Sequence, residues 1–367
     1  MNILISNSTD VFGGGENYVF ILARCLHERG HEVWVSALPD HLLLQKCAAH
    51  GIATIPIAYK GMHRVFNVAA ALREELKKHS IDIIHSNANY DRTCAAIAAG
   101  FSRVRHVAAI HSSHSIQHNL THWLRNRYGI DHFIAVAENV RNVLVAEDRI
   151  PAAKITVIPN GVLNDSESSI ARKQSRALLE VGEKTIVIGN VGSLTPLKGH
   201  AFLLRTIAEV VNVYPHVLCP IFGKGELWDE LHELARSLQI EQFVRFMGFR
   251  NDVDAFYHAF DIYCHASRGS VPDAFPLAIL QALAASLPVV ATRMGDIPTM
   301  VEHGVSGYLT TPEDSHAMAE ALVAMIRDPP LRHSMGSASF EIFRKRFHAS
   351  LMTENVERVY SKVLGQP

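Results

Sequence analysis

Phe12-Gly13-Gly14-Gly15-Glu16 directly follows a short apolar run at the start of the chain. Glycines there let the backbone approach a ligand closely, and a helix starting at that point aims free N–H groups at an anion. The same residues also suit a plain strand-to-helix turn. A dinucleotide fingerprint is disfavoured, because the third glycine of G-x-G-x-x-G would fall on Tyr18 and no acid ends the run Trp34-Val35-Ser36. In Gly189-Asn190-Val191-Gly192-Ser193-Leu194-Thr195-Pro196-Leu197-Lys198-Gly199-His200, an apolar run ends in glycine and Lys-Gly opens a helix. A cation beside helix-terminal amides suits a diphosphate, although Lys198 taken alone reads as a surface lysine. The spacing is not that of a P-loop. The third segment, Ser267 to Leu283, sets Asp273 in a loop and Gln281 about two turns into the next helix, near one face. A carboxylate and an amide so placed bond sugar hydroxyls; a dipole-favoured acid and a chance glutamine are the plainer alternative. His111 follows the apolar run Val107–Ile110, and His114, His118 and His122 recur at helical spacing near Arg125 and Arg127. A metal site is conceivable there, but a solvated or acceptor-facing basic stripe is expected and no metal is assigned.

These segments need elements to position them. Short apolar runs at Asn2–Ser6, Glu32–Ala37, Ile81–His85, Val104–Ile110 and His132–Val136 read as strands. Amphipathic stretches at Tyr18–Glu28, Val68–Lys78 and Thr93–Gly100 separate them. Polar residues from Asn164 to Gln174 read as a linker. The alternation resumes with strands at Thr185–Val191, Val217–Phe222, Val244–Met247, Ile262–His265 and Leu287–Thr292, and helices at His200–Val213, Glu226–Leu238 and Pro276–Ser286. The chain is helical from Glu313, and Met352–Val363 is a last amphipathic segment. The pattern predicts an α/β protein with two doubly wound, Rossmann-like parallel sheets facing a cleft, with ligands outside the carboxyl ends of strands.

The chain has 367 residues, enough for two domains, and 48% are hydrophobic, which excludes wholesale disorder. A formal net charge of −1 argues against a general nucleic-acid binder. No apolar run is long enough to span a bilayer and the start lacks a basic leader pattern, so a cytoplasmic protein is expected. Cys25, Cys47, Cys94, Cys219 and Cys264 are odd in number and form no C-x-x-C pair, which suits reduced thiols.

In this order the motifs resemble the retaining nucleotide-sugar glycosyltransferases of family 4, which have the two-domain GT-B fold. The resemblance spans nearly the whole chain. It adds Ile158-Pro159-Asn160-Gly161-Val162, Ile221-Phe222-Gly223-Lys224-Gly225-Glu226, Val244-Arg245-Phe246-Met247-Gly248-Phe249, and Glu302-His303-Gly304 with Gly307-Tyr308-Leu309. The block from Ala266 to Thr292 is its most specific part. It implies an N-terminal acceptor-binding domain over residues 1–163, a nucleotide-sugar domain over 164–346, and a helix over 347–367 crossing back to the first domain.

The resemblance also implies roles. Gly14 and Gly15 approach the donor phosphate, Lys198 binds the pyrophosphate, and His111 faces the donor sugar. Gly192 and Ser193 line the donor loop, although the family's usual arginine is replaced by Ser193, for which Arg268 or Lys224 are candidate substitutes. The family's Glu-x7-Glu pair corresponds to Asp273 and Gln281; the amide keeps hydrogen bonding and loses charge. The N–H groups of Ala274, Phe275 and Leu277 cradle the sugar or phosphate. The implied reaction is retaining, metal-independent hexosyl transfer from a nucleotide diphosphate sugar, a UDP-sugar first, with no cofactor. The acceptor is a glycan or lipid-linked glycan of polysaccharide biosynthesis. Residues 1–160 carry a slight basic excess. Lys60-Gly61-Met62-His63-Arg64-Val65-Phe66 mixes cations with apolar side chains, as a peripheral contact with the inner membrane face would. A GT-B protein that binds a nucleotide sugar without transferring it, and a nucleotide-sugar epimerase, are the alternatives.

Overall fold

The computed structural model of the chain describes residues 1–59, 61, 64–117, 119–164, 168–269 and 274–366, with residues 168–171 described by backbone alone. The chain divides into two compact units, Met1–Gly161 with Ala349–Pro367, and Val162–His348. In the first, strands β1 (Asn2–Ser6), β2 (Glu32–Ala37), β3 (Ala53–Pro56), β4 (Ile83–Ser86), β5 (Arg105–Ile110), β6 (His132–Ala135) and β7 (Ile155–Val157) form a parallel sheet ordered β3-β2-β1-β4-β5-β6-β7. In the second, β8 (Ile186–Val191), β9 (Val217–Phe222), β10 (Val244–Gly248), β11 (Ile262–His265), β12 (Val289–Thr292) and β13 (Gly307–Thr310) form a parallel sheet ordered β10-β9-β8-β11-β12-β13. Both are Rossmann-like. Helices cover both faces of such sheets, so the central strands β4, β6, β11 and β12 are buried at every residue and read as continuous runs.

Strand order reverses between β1 and β4, and again between β8 and β11. In the first unit, helix Gly14–Glu28 leaves β1 towards β2, and helix Asn89–Ala99 leaves β4 towards β5. In the second, His200–Val213 leaves β8 and Leu277–Ala284 leaves β11. Crossovers that part in this way leave an open crevice at the strand ends.

Helix Ala349–Leu364 packs against Gly14–Glu28 in the first unit. It buries Met352, Val356, Val359 and Tyr360. Glu357 pairs with Arg29 at 2.8 Å and His31 at 2.7 Å, and the Tyr360 hydroxyl lies 2.7 Å from His85 Nδ1. The five cysteines are buried free thiols. No helix among the described residues is long and apolar enough to cross a membrane.

Two sequence expectations need correction. Three strands are missing from the reading: β3, β7 and β13 are edge strands of three or four residues, and none carries a continuous apolar run. The expected linker is largely a helix, Ser168–Leu178. Charge and carbonyl contacts anchor it. Arg172 donates to the His258 and Phe260 carbonyls at 3.1 and 3.0 Å and meets Asp261 at 2.7 Å. Arg176 is buried and reaches Asp261 at 3.2 Å and the Thr185 carbonyl at 2.7 Å. A stretch docked by guanidinium groups has the composition of a linker.

Asp261 also accepts from the Val187 amide at 2.8 Å. Asp261→Ala strands the Arg176 guanidinium, and should lower the unfolding free energy by about 3 kcal/mol in urea titration. A change below roughly 0.5 kcal/mol would reject this anchoring.

Candidate functional site

In the first unit, polar side chains stand at the carboxyl ends of β1, β4 and β5. Ser6 and Asn7 close β1, Ser86 and Asn87 close β4, and all four are buried. His111 follows β5 and is half-buried. Asn87 connects them: its Nδ2 donates to Asn7 Oδ1 at 2.9 Å and to the Gly15 carbonyl at 3.3 Å, and its Oδ1 lies 2.8 Å from His111 Nε2. The Gly13 amide donates to Glu16 Oε2 at 2.8 Å, which shapes the entry to helix Gly14–Glu28. A Cβ on Gly15 would stand 3.3 Å from Asn87 Nδ2, so the loop packs directly on that amide. Asp91 supports the β4 turn from a fully buried position, accepting from the Asn87 amide at 2.9 Å and the Ser8 hydroxyl at 2.7 Å. Burial nevertheless raises its carboxyl above the usual carboxylate range.

The Tyr18 ring meets the His111 ring edge-on at 4.6 Å. Burial, helped by the Arg92 guanidinium, pushes His111 down to about 4, so its imidazole is neutral at physiological pH. Arg125 is buried and donates to Asn89 Oδ1 at 2.8 Å, Thr93 Oγ1 at 2.9 Å and the Ile116 carbonyl at 3.1 Å. It therefore belongs to the interior and not to an exposed basic stripe. His114 is exposed, His122 is half-buried, and His118 lies outside the described residues. Among the described residues no three His, Cys, Asp or Glu side chains cluster as metal ligands.

In the second unit the loop after β8 is clamped from both sides. The Gly192 amide donates to the Phe222 carbonyl at 2.9 Å and the Leu194 amide to the Lys224 carbonyl at 3.0 Å. The Arg268 amide donates to the Leu197 carbonyl at 2.9 Å, which ties this loop to the one after β11. Lys198 ends a short 3-10 turn, Pro196–Lys198, and its stem lies 3.7 Å from where a Gly192 Cβ would stand. Gly192 and Lys198 are thus brought together. Gly199 has φ +65° and a Cβ there would fall 1.9 Å from the Ala266 carbonyl oxygen, so only glycine closes this turn. Ser193 is exposed. Arg268 pairs with Glu313 at 3.0 Å, and Lys224 is exposed with its Cε beside Gly248.

Asp273 lies outside the described residues. Ala274 and Phe275 are buried, and the Phe275 ring meets Phe347 at 5.7 Å. Leu277 and Gln281 are both half-buried, one turn apart on helix Leu277–Ala284, so they share its outer edge while Ile279, Leu280, Ala282 and Leu283 face inward. Of the segment from Lys60 to Phe66, Lys60, Met62 and His63 lie outside the described residues, and Phe66 is exposed.

The sequence reading missed the residues that hold these loops. Asn7, Thr9, Ser86, Asn87 and Asp91 support the first site. His265, whose Nε2 is 2.8 Å from Ser267 Oγ, and Thr292, whose hydroxyl donates to the Ser267 carbonyl at 2.7 Å, support the second. A usable signal existed: Ser-Asn follows the apolar run at both β1 and β4.

Two Rossmann-like units with glycine loops at their switch points match the GT-B fold, and comparison with known proteins identifies the chain as a glycosyltransferase of that fold. The family model described as "Glycosyl transferases group 1" matches residues 171–341, and that described as "Glycosyltransferase Family 4" matches residues 12–164. The chain belongs to the family 4 glycosyltransferases. It is 28% identical over 371 residues to a phosphatidyl-myo-inositol mannosyltransferase of Mycobacterium leprae, covering 97% of this chain and 95% of that one. It is 35% identical over 212 residues to a D-inositol 3-phosphate glycosyltransferase of Corynebacterium jeikeium, covering 54% of this chain and 49% of that one. The crystal structure of Anabaena HepE in complex with UDP-glucose superposes with a TM-score of 0.86 at 25% identity, covering 99% and 100% of the two chains.

Burial holds several histidines neutral: His85 and His200 at about 3, and His106, His111 and His132 at about 4. An unfolded histidine titrates near ~6.5. Below that value the unfolded chain binds protons that the native state refuses, so the stability present above it is lost as pH falls towards the folded values. The apparent Tm should drop by roughly 5–10 °C between about pH 7 and pH 5 in scanning calorimetry. A flat profile would show that these rings are not desolvated.

Proposed function

We propose that this glycosyltransferase moves a hexosyl unit from a nucleoside diphosphate sugar, with a UDP-sugar as the first candidate, to a hydroxyl of a glycan or lipid-linked glycan, with retention and without a metal. The observation that carries the reading is the Lys198 stem lying over Gly192 at the open end of β8. The similarity to HepE, crystallised with UDP-glucose, supports the donor class. In this reading the C1–O bond to the diphosphate breaks and a C1–O bond to the acceptor forms on the same face. The acceptor proton passes to an oxygen of the departing phosphate. Negative charge grows on that leaving group, and the site works by stabilising it. Lys198 supplies the cation. Gly192 lets the loop come close, and the amides of Ser193, and of Ala274, Phe275 and Leu277 at the start of their helix, supply donors. Gly14 and Gly15 bring backbone up to the phosphate, and His111 accepts from a sugar hydroxyl. Asp273 and Gln281 bond the sugar and ribose. Ser193 and Gln281, in place of an arginine and a glutamate, also favour a second reading, a protein that binds the donor without transferring it.

The acceptor side of the reading includes a cytoplasmic, peripheral contact with an anionic membrane face. From Arg92 to Ile130 the sequence contains no Asp or Glu. Over this stretch Phe101, Leu120, Trp123 and Tyr128 are exposed, as are Arg103 and Arg127. Apolar and aromatic side chains among cations suit an anionic lipid surface.

Lys198→Ala should reduce sugar transfer by at least about a hundredfold while leaving the fold intact. Near-normal turnover would reject its role, and donor-induced thermal stabilisation without transfer by the unaltered protein would favour the second reading. Co-sedimentation should capture the protein on phosphatidylglycerol vesicles at low salt and release it at high salt. Phe101→Ser combined with Tyr128→Ser should weaken that capture. Equal recovery on neutral phosphatidylcholine vesicles would reject the electrostatic part.

A further inference from the structure

The Asn87 amide orientation is decided by its neighbours. Gly15 offers a carbonyl, which only accepts, so the atom facing it at 3.3 Å is Nδ2. Asn87 Oδ1 then faces His111 Nε2 at 2.8 Å, and an oxygen acceptor requires that nitrogen to carry the proton. Asn87 Nδ2 also donates to Asn7 Oδ1 at 2.9 Å, and Asn7 Nδ2 donates to Thr9 Oγ1 at 2.7 Å. The Thr9 hydroxyl donates to Glu16 Oε1, while Glu16 Oε2 takes the Gly13 amide at 2.8 Å. Every donor in this chain points the same way, from the imidazole to the carboxylate. Glu16, Asn7 and Asn87 are buried, so little water competes with the links.

We propose that Asn87, Asn7, Thr9 and Glu16 form a one-way hydrogen-bond relay that holds His111 as the Nε2–H tautomer and strengthens its Nδ1 as an acceptor for a donor-sugar hydroxyl. The inference rests on the donor-facing role of His111 given above. Successive hydrogen bonds of one direction polarise one another, and a carboxylate at the end draws each donor proton towards itself. Electron density on the imidazole rises accordingly. The relay also gives Glu16 a task beyond shaping the turn: the residue that closes the glycine loop governs a ring two strands across the sheet. The four side chains are positioning residues, because none is asked to touch the reacting atoms.

Thr9 lies two side chains from His111, which makes it the place to cut. Thr9→Val removes the hydroxyl at nearly constant volume, and Thr9→Ser keeps it. The full-length protein is labelled with 15N-histidine, and the His111 resonances are assigned by difference against His111→Gln. Unaltered protein should show a protonated Nε2 and an unprotonated Nδ1. Thr9→Val should move both resonances towards values averaged over two tautomers. It should also lower kcat roughly fivefold to tenfold, with donor KM unchanged within about twofold, the loss of one hydrogen bond's net worth. Thr9→Ser should restore both. An Nδ1–H tautomer in the unaltered protein, a Thr9→Val protein equal to it in spectrum and turnover, or a failure of Thr9→Ser to rescue would each overturn the relay. If His111→Gln retains full turnover, the donor-facing role itself fails and the relay falls with it. If His111→Gln is inactive while Thr9→Val is normal, the relay alone fails.

Discussion

At the carboxyl end of a parallel strand the ladder stops, and between strands whose crossovers part in opposite directions no helix closes over the gap. Polar groups can stand there, but those that are buried must be satisfied by one another. The first unit meets this demand with side chains: Ser6, Asn7, Asn87 and Asp91 bond across β1 and β4, and the Ser86 hydroxyl lies 2.8 Å from His106 Nε2 on β5. The second meets it mostly with backbone. Its loops after β8, β9 and β11 bond to one another through Gly192, Leu194 and Arg268 amides. The same structural problem therefore yields one polar, side-chain-built end and one tight, glycine-built end.

The glycines follow from that difference. A Cβ on Gly223 would lie 1.9 Å from the Gly192 carbonyl oxygen, so the β9 loop touches the β8 loop at a distance that admits no side chain. Loops packed so closely are built from backbone, and Lys198 among them adds a cation, which is the chemistry of anion binding. Around Gly15 the constraint is milder, since a Cβ would meet a movable amide and not a carbonyl.

The order of strands and helices was legible because buried parallel strands open on runs of apolar residues, as Ile83-Ile84 of β4, Ile262-Tyr263-Cys264 of β11 and Val289-Val290-Ala291 of β12 show. Helix His200–Val213 was readable to the residue because a glycine in the left-handed region starts it and its inner face is continuous. Edge strands β3, β7 and β13 carry no such signal. Helix Ser168–Leu178 was hidden for the opposite reason: its docking uses Arg172 and Arg176, and polar docking has no periodic apolar mark. The pairing of Gly192 with Lys198 was readable as a motif. The partnership of Glu16 with His111 was not, since residues brought together by strand order lie far apart in the chain.

Helix Ala349–Leu364 belongs with the first unit although the whole second unit precedes it in sequence. The second unit is in effect an excursion between two parts of the first. During synthesis every residue of the second unit has been joined to the chain before Tyr360 exists to reach His85. The amino-terminal sheet thus waits, with the face of helix Gly14–Glu28 uncovered, until the final segment emerges. The half that is made first is completed last.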